Sequence, residues 1–168
     1  MQQNGDDLAK LWELIGDIRF AMLTIRHGDG TLRSRPMTTQ NEEKDRGGTL
    51  WFFASRRGEP VLDLQQSPGV NVAYAHTGKD AYVSVSGKAR IVDDIERKRA
   101  LFGTLAKAWF PGGPEDPDLA LIAIDIEHAE YWDVKSSHLT QLVKMAASAF
   151  TGKQVRLDAE RGEIDRRH

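Results

Sequence analysis

Near the start of the chain, Leu8, Leu11, Trp12, Ile15 and Ile18 recur at helical spacing and predict an amphipathic helix over 6–18. Asp6 and Asp7 suit its positive end. The period changes at Phe20. Phe20-Ala21-Met22-Leu23-Thr24-Ile25 reads as a strand, His27-Gly28-Asp29-Gly30 as a turn, and residues 32–40 as the returning arm of a hairpin. Pro36 cannot donate a ladder hydrogen bond, which places that arm at an edge or a bulge. Leu50-Trp51-Phe52-Phe53-Ala54 is a third strand, followed by a short helix with Pro60 in its first turn.

Residues 70–76 and 81–92 predict two more strands. In the second, Tyr82, Ser84 and Ser86 alternate with Val83 and Val85, and Gly87 marks a bulge or barrel corner. Asp93 and Glu96 fit a capping box opening a helix that runs to about Phe110, where Pro111-Gly112-Gly113-Pro114 stops it. Residues 119–126 and 129–134 read as two further strands, and 138–150 as a last helix. Nine of the eighteen residues from Thr151 to His168 are Lys, Arg, Asp or Glu, which predicts a charged, mobile tail after a domain spanning 1–150. Hairpin-linked strands with few helices predict a mainly β fold, an antiparallel barrel decorated by helices.

Composition narrows the function. Lys and Arg number 23 against 25 Asp and Glu, a net charge of −2 that argues against a nucleic-acid binder. The chain has no cysteine, which excludes disulfides, thiolate metal sites and Cys nucleophiles. No apolar run approaches the roughly 18 residues of a membrane helix, and residues 1–7 lack the pattern of a signal peptide, so a cytoplasmic protein is expected. No glycine fingerprint opens a helix, no GxSxG elbow exists, and the five histidines form no metal-type cluster.

Three segments combine cations, hydroxyls and aromatic rings. They are Arg33-Ser34-Arg35-Pro36-Met37-Thr38, Phe52-Phe53-Ala54-Ser55-Arg56-Arg57, and the Trp109-Phe110-Pro111-Gly112-Gly113 helix end. Guanidinium groups and hydroxyls bind phosphate by charge-assisted hydrogen bonds, and an indole stacks on a flat ring. Together they suit a phosphorylated planar cofactor. The plainer alternative makes Arg33 and Arg35 solvated strand residues, Phe53 core, and Trp109 a helix-end anchor.

Arg33-Ser34-Arg35-Pro36-Met37, Leu50-Trp51-Phe52-Phe53, Val83-Ser84-Val85-Ser86-Gly87-Lys88-Ala89, Trp109-Phe110-Pro111-Gly112-Gly113 and Ala129-Glu130-Tyr131-Trp132, in that order, resemble the FMN-binding split-barrel superfamily related to pyridoxamine 5′-phosphate oxidase, in its general stress protein branch. The resemblance covers roughly residues 6–150. It implies a six-stranded antiparallel split barrel, a homodimer with FMN at the subunit interface, and FMN, or FAD as the other flavin, as cofactor. Arg35 matches the arginine that reaches the phosphate. Met37 and Thr38 match positions beside the isoalloxazine, and Phe53, Ala54 and Ser55 the strand along ribityl and phosphate. Arg56 and Arg57 are further phosphate candidates, and Trp109 and Trp132 candidates for approaching the ring. At Gly58 and Pro60 the chain departs from the Ser and Lys that the family places on the phosphate. No residue stands out as a catalytic acid or base. The tail does not look like the substrate-binding segment of a true pyridoxamine phosphate oxidase. A cofactor-poor dimeric barrel acting as an interaction module is the second reading. Trp12, Trp51, Phe110 and Trp132 are large side chains that need cover.

Overall fold

The computed structural model describes residues 2–134 and 159–165. The helix expected over 138–150 lies outside them. In chain order the elements are α1 (Gln2–Ile15), β1 (Phe20–Arg26), β2 (Leu32–Thr38), β3 (Thr49–Ser55), α2 (Glu59–Gln66), β4 (Gly69–His76), β5 (Ala81–Val92), α3 (Ile95–Leu101), α4 (Thr104–Trp109), β6 (Leu119–Val134) and β7 (Ala159–Asp165). The strands form one antiparallel sheet in the order β2-β1-β4-β5-β6-β3, with β7 paired to β6 off that path. The mainly β class with peripheral helices holds. The count of six strands does not: seven are present among the described residues and the sheet is open, its two ends touching through the bridge Thr39↔Phe52.

The interior explains the apolar runs. On β3, Leu50, Phe52 and Ala54 enter the main core, while Trp51 and Phe53 enter a second cluster with Leu101, Ala106, Leu119, Leu121 and Ala123. A strand buried on both faces loses the apolar–polar alternation, so this one reads as continuous Leu-Trp-Phe-Phe-Ala. β1 and β4 instead bury one face and alternate. α1 closes the main core with Leu11, Trp12 and Ile15. Trp12 and Trp51 are therefore covered within the chain. The Trp12 indole N–H donates to the Gly47 carbonyl at 3.0 Å, and the Arg97 guanidinium lies 4.7 Å above the Trp51 ring.

Three boundaries differ from the sequence pattern. The two strands expected at 119–126 and 129–134 are one, β6. Ser86 pairs with His128 but Gly87 with Ile126, so Glu127 is an extra residue in a bulge. Gly87 is required there, because a Cβ would collide with the Asp125 carbonyl. The helix expected from Asp93 to Phe110 breaks at Phe102–Gly103 into α3 and α4, and its N-cap is Asp94, which accepts from the Arg97 N–H at 3.0 Å. Residues 159–165, expected within a mobile tail, form β7. They pair antiparallel with His128–Val134 and send Ile164 into the main core. Among the described residues no helix is long and apolar enough to cross a membrane.

Candidate functional site

A cleft of about 400 Å³ opens where the edge strand β2 faces the exit of β3. Pro36, Met37 and Thr38 line it from β2, with Phe20 from β1 beside them. Phe53, Ala54 and Ser55 line it from β3, Gly58 and Pro60 from the start of α2, and Ala106, Trp109 and Phe110 from the end of α4.

Buried polar residues between β2 and β3 set this approach. The Gln40 N–H donates to the Trp51 carbonyl at 2.8 Å. Asn41 Nδ2 donates to the carbonyls of Asp45 and Thr49 at 3.0 and 2.9 Å, and its Oδ1 accepts from the Trp51 N–H at 2.9 Å. The Thr39 and Tyr74 hydroxyls share a buried 2.9 Å hydrogen bond. Burial pushes the Tyr74 phenol well above its ordinary range, so it stays protonated and available to that bond. Satisfied buried polar groups of this kind fix one geometry where apolar contacts would permit several.

The walls are mostly carbon. Phe53 is buried, with its ring edge-on to Phe110 at 6.4 Å and tilted against Phe102 at 5.7 Å. It is a core residue and also part of the cleft wall. Trp109 is 67% exposed although it lines the cleft, so its indole is free to cover a flat ligand. Pro111 and the positive φ of Gly113 turn the chain away just after it.

The charged end is already paired. Arg35 Nη2 donates to Glu59 Oε2 at 3.1 Å, and Arg33 Nη2 to Asp29 Oδ2 at 3.1 Å. Arg56 pairs with Asp93, and Arg57 Nε donates to Asp118 Oδ1 at 3.1 Å. The Ser55 hydroxyl donates to Asp118 Oδ2 at 2.7 Å, and the Arg56 N–H to the Asp118 carbonyl at 2.6 Å. The Ser55 hydrogen bond, then Arg57, hold the Asp118 carboxyl below its ordinary range. Asp118 thus clamps the β3 exit. The Arg35 Nε is buried and has no hydrogen-bond partner. A buried guanidinium N–H without an acceptor is the feature expected where an anionic group would dock.

Of the ten residues singled out in the sequence, Met37, Thr38, Phe53, Ala54, Ser55 and Trp109 line the cleft. Arg35, Arg56 and Arg57 stand next to lining residues in the chain. Trp132 does not join them: it sits on β6 opposite Tyr82, with the Arg161 guanidinium of β7 5.8 Å from its ring. Phe20, Gln40 and Ala106 line the cleft without having been singled out. Phe20 reads in the sequence as one residue of a compact apolar strand, and its place on the exposed face shows only in the fold; Gln40 and Ala106 carried no signal.

A family profile described as pyridoxamine 5′-phosphate oxidase like matches residues 6–156. The chain belongs to this family. Among solved structures, the general stress FMN/FAD binding protein of Xanthomonas citri is 33% identical, with a TM-score of 0.69 over 91% of this chain and 99% of that one. Among curated proteins, protein bli-3 of Neurospora crassa is 29% identical over 90% of this chain and 80% of its own length. General stress protein 26 of Bacillus subtilis is 29% identical over 58% of this chain and 69% of its own length. The resemblance read from the five short segments is therefore correct, and the open seven-stranded sheet is this family's split barrel.

Proposed function

We propose that the chain is a flavin-binding protein of the general stress type that takes FMN in the cleft between β2, β3 and α4. The observation that carries this is the cleft itself, with apolar walls and an exposed indole at its mouth, together with an unpartnered buried guanidinium N–H on Arg35, next to the lining residue Pro36 in the chain. The relative of known structure described as FMN/FAD binding supports it. In this reading Met37 and Thr38 flank the isoalloxazine, Phe53 backs it, Trp109 covers it, and Arg35 faces the phosphate. Bound flavin supplies electron transfer; the residues of the cleft bind it, orient it and exclude water. No residue at the cleft is proposed as acid or base, so an oxidoreductase role rests on the flavin alone.

The same reading includes a homodimer. Phe20 is 59% exposed and Met22 42% exposed on the outer face of β1, and Phe20 also lines the cleft. A partner covering this face would bury both side chains and complete the cleft wall. A stable interface of this kind buries about 1,200–2,000 Å² or more.

The test is a titration of the purified protein with FMN, riboflavin and NAD, followed by flavin fluorescence and by nucleotide competition. Micromolar FMN binding, about −8 kcal/mol, is expected, with no displacement by NAD. The carboxylates on Arg35, Arg56 and Arg57 favour the second reading, an interaction module without cofactor. No spectral change at about a hundredfold excess over a micromolar Kd would favour that one and sink the flavin reading.

A further inference from the structure

Glu59, between the lining residues Gly58 and Pro60 in the chain, pairs with two arginines of β2. Arg35 Nη2 donates to Glu59 Oε2 at 3.1 Å, and Arg33 Nη1 lies 3.9 Å from the same oxygen. The flanking residues of both partners, Gly58 and Pro60 on one side and Pro36 on the other, line the cleft. Arg35 and Glu59 themselves are not among the lining residues; their ion pair ties β2 to the start of α2 beside the cleft.

The pair is incomplete. A carboxylate that uses the guanidinium fork fully takes two parallel N–H groups. Here Glu59 accepts from Nη2 alone, and the Nε of Arg35 stays buried without a partner. The Glu59 side chain is 58% exposed, so it exchanges Arg35 for water at little cost. The neighbouring arginines at the β3 exit have other carboxylate partners. Arg57 shares Asp118 with the Ser55 hydroxyl, and the Arg56 backbone is tied to the same residue. Of Glu59, Asp93 and Asp118, only Glu59 is paired with an arginine whose Nε is buried and without a partner.

We propose that Glu59 is a built-in competitor for the phosphate of the flavin: it holds Arg35 while the cleft is free of ligand, and so sets how strongly the chain prefers FMN over riboflavin. This rests on the flavin reading above. Binding FMN exchanges one arginine–anion pair for another and leaves a carboxylate beside a phosphate. Riboflavin has the same ring and ribityl chain without the phosphate and leaves the pair untouched. The chain keeps its specificity arginine neutralised, and its FMN preference is correspondingly shallow.

The test compares the wild type with Glu59→Gln, Arg35→Ala and the double variant, each titrated with FMN and with riboflavin at one ionic strength. Glu59→Gln keeps the volume and removes the charge. It should tighten FMN about tenfold, as expected for a hydrogen bond to a charged group set free, and leave riboflavin within about twofold. With Arg35→Ala also present the gain should shrink to about twofold, because no guanidinium is left to release. An unchanged ratio of FMN to riboflavin affinity in Glu59→Gln would overturn the proposal. So would an undiminished gain in the double variant, since Glu59 would then act through general repulsion. If none of the four proteins takes either flavin, the flavin reading itself fails, an outcome distinct from an unmoved ratio.

Discussion

Replacing Ile164 by Ala decides whether residues 159–165 belong to the folded domain. Ile164 is 2% exposed, lies opposite the fully buried Ala129, and sits in the main core, although its strand has the sequence Ala-Glu-Arg-Gly-Glu-Ile-Asp. The substitution removes three buried carbons, roughly 2.4 kcal/mol at about 0.8 kcal/mol each, and adds a cavity term that brings Ile→Ala to roughly 2–5 kcal/mol. At about 2–4 °C per kcal/mol for a domain of this size, the melting temperature should fall by roughly 4–20 °C. The control is Glu163→Ala, next door on the same strand and 64% exposed, which should stay within about 0.5 kcal/mol. Both variants are read by thermal and urea unfolding. If Ile164→Ala matches Glu163→Ala, β7 is not docked and the segment behaves as the tail that its composition describes.

Gly87→Ala should destabilise by at least about 2 kcal/mol in urea unfolding, because the new methyl meets a backbone carbonyl that cannot yield without breaking the bulge; a neutral result would show that β5 and β6 have room there. Gly58→Ser should fold at a small cost in stability, since Gly58 has an ordinary extended φ of −73° while its Cβ would stand 3.1 Å from the Ser55 carbonyl oxygen, a tight contact that the chain relieves by a few tenths of an ångström, and it should tighten FMN about tenfold without changing riboflavin. Loss of FMN binding on restoring this hydroxyl would place the phosphate elsewhere. Asp118 has a folded pKa held below its ordinary 3.8, so its contribution to stability is full at neutral pH and is lost as pH falls through that depressed value. The melting-temperature gap between wild type and Asp118→Asn should therefore be widest near neutrality and narrow below about pH 4, whereas a constant gap would deny the carboxylate its clamping role.

Much of the sheet is legible in the sequence because each strand has one dominant environment. β5 spans Ala81–Val92 as its alternation predicts, and β3 shows the continuous apolar run of a strand buried on both faces. β6 misleads because its environment changes along its length. Up to Asp125 it pairs with β3 between two apolar clusters; beyond the Glu127 bulge it pairs with β7, and polar residues reappear. That polar interval looks like a loop. β7 misleads for the opposite reason: one isoleucine among charges leaves no pattern, and the strand exists because β6 offers it an edge. Tertiary context overrides propensity in such strands.

The apolar half of the cleft was equally legible, since Met37, Thr38, Phe53, Ala54, Ser55 and Trp109 come from three segments with a recognisable order. Its electrostatics were not. The carboxylates that occupy Arg35, Arg56 and Arg57 lie 24, 37 and 61 residues away in the chain. Charges that meet only after folding leave no local signal, so an arginine that reads as free in the sequence is paired in the fold.

The most direct test of the flavin cleft is a crystal structure of the protein grown with millimolar FMN. The expected result is a flavin ring between Met37–Thr38 and Trp109, with its phosphate within about 3 Å of the Arg35 guanidinium and Glu59 turned away. Flavin density beside Trp132 with the cleft left empty, or a phosphate remote from Arg35, would contradict the account.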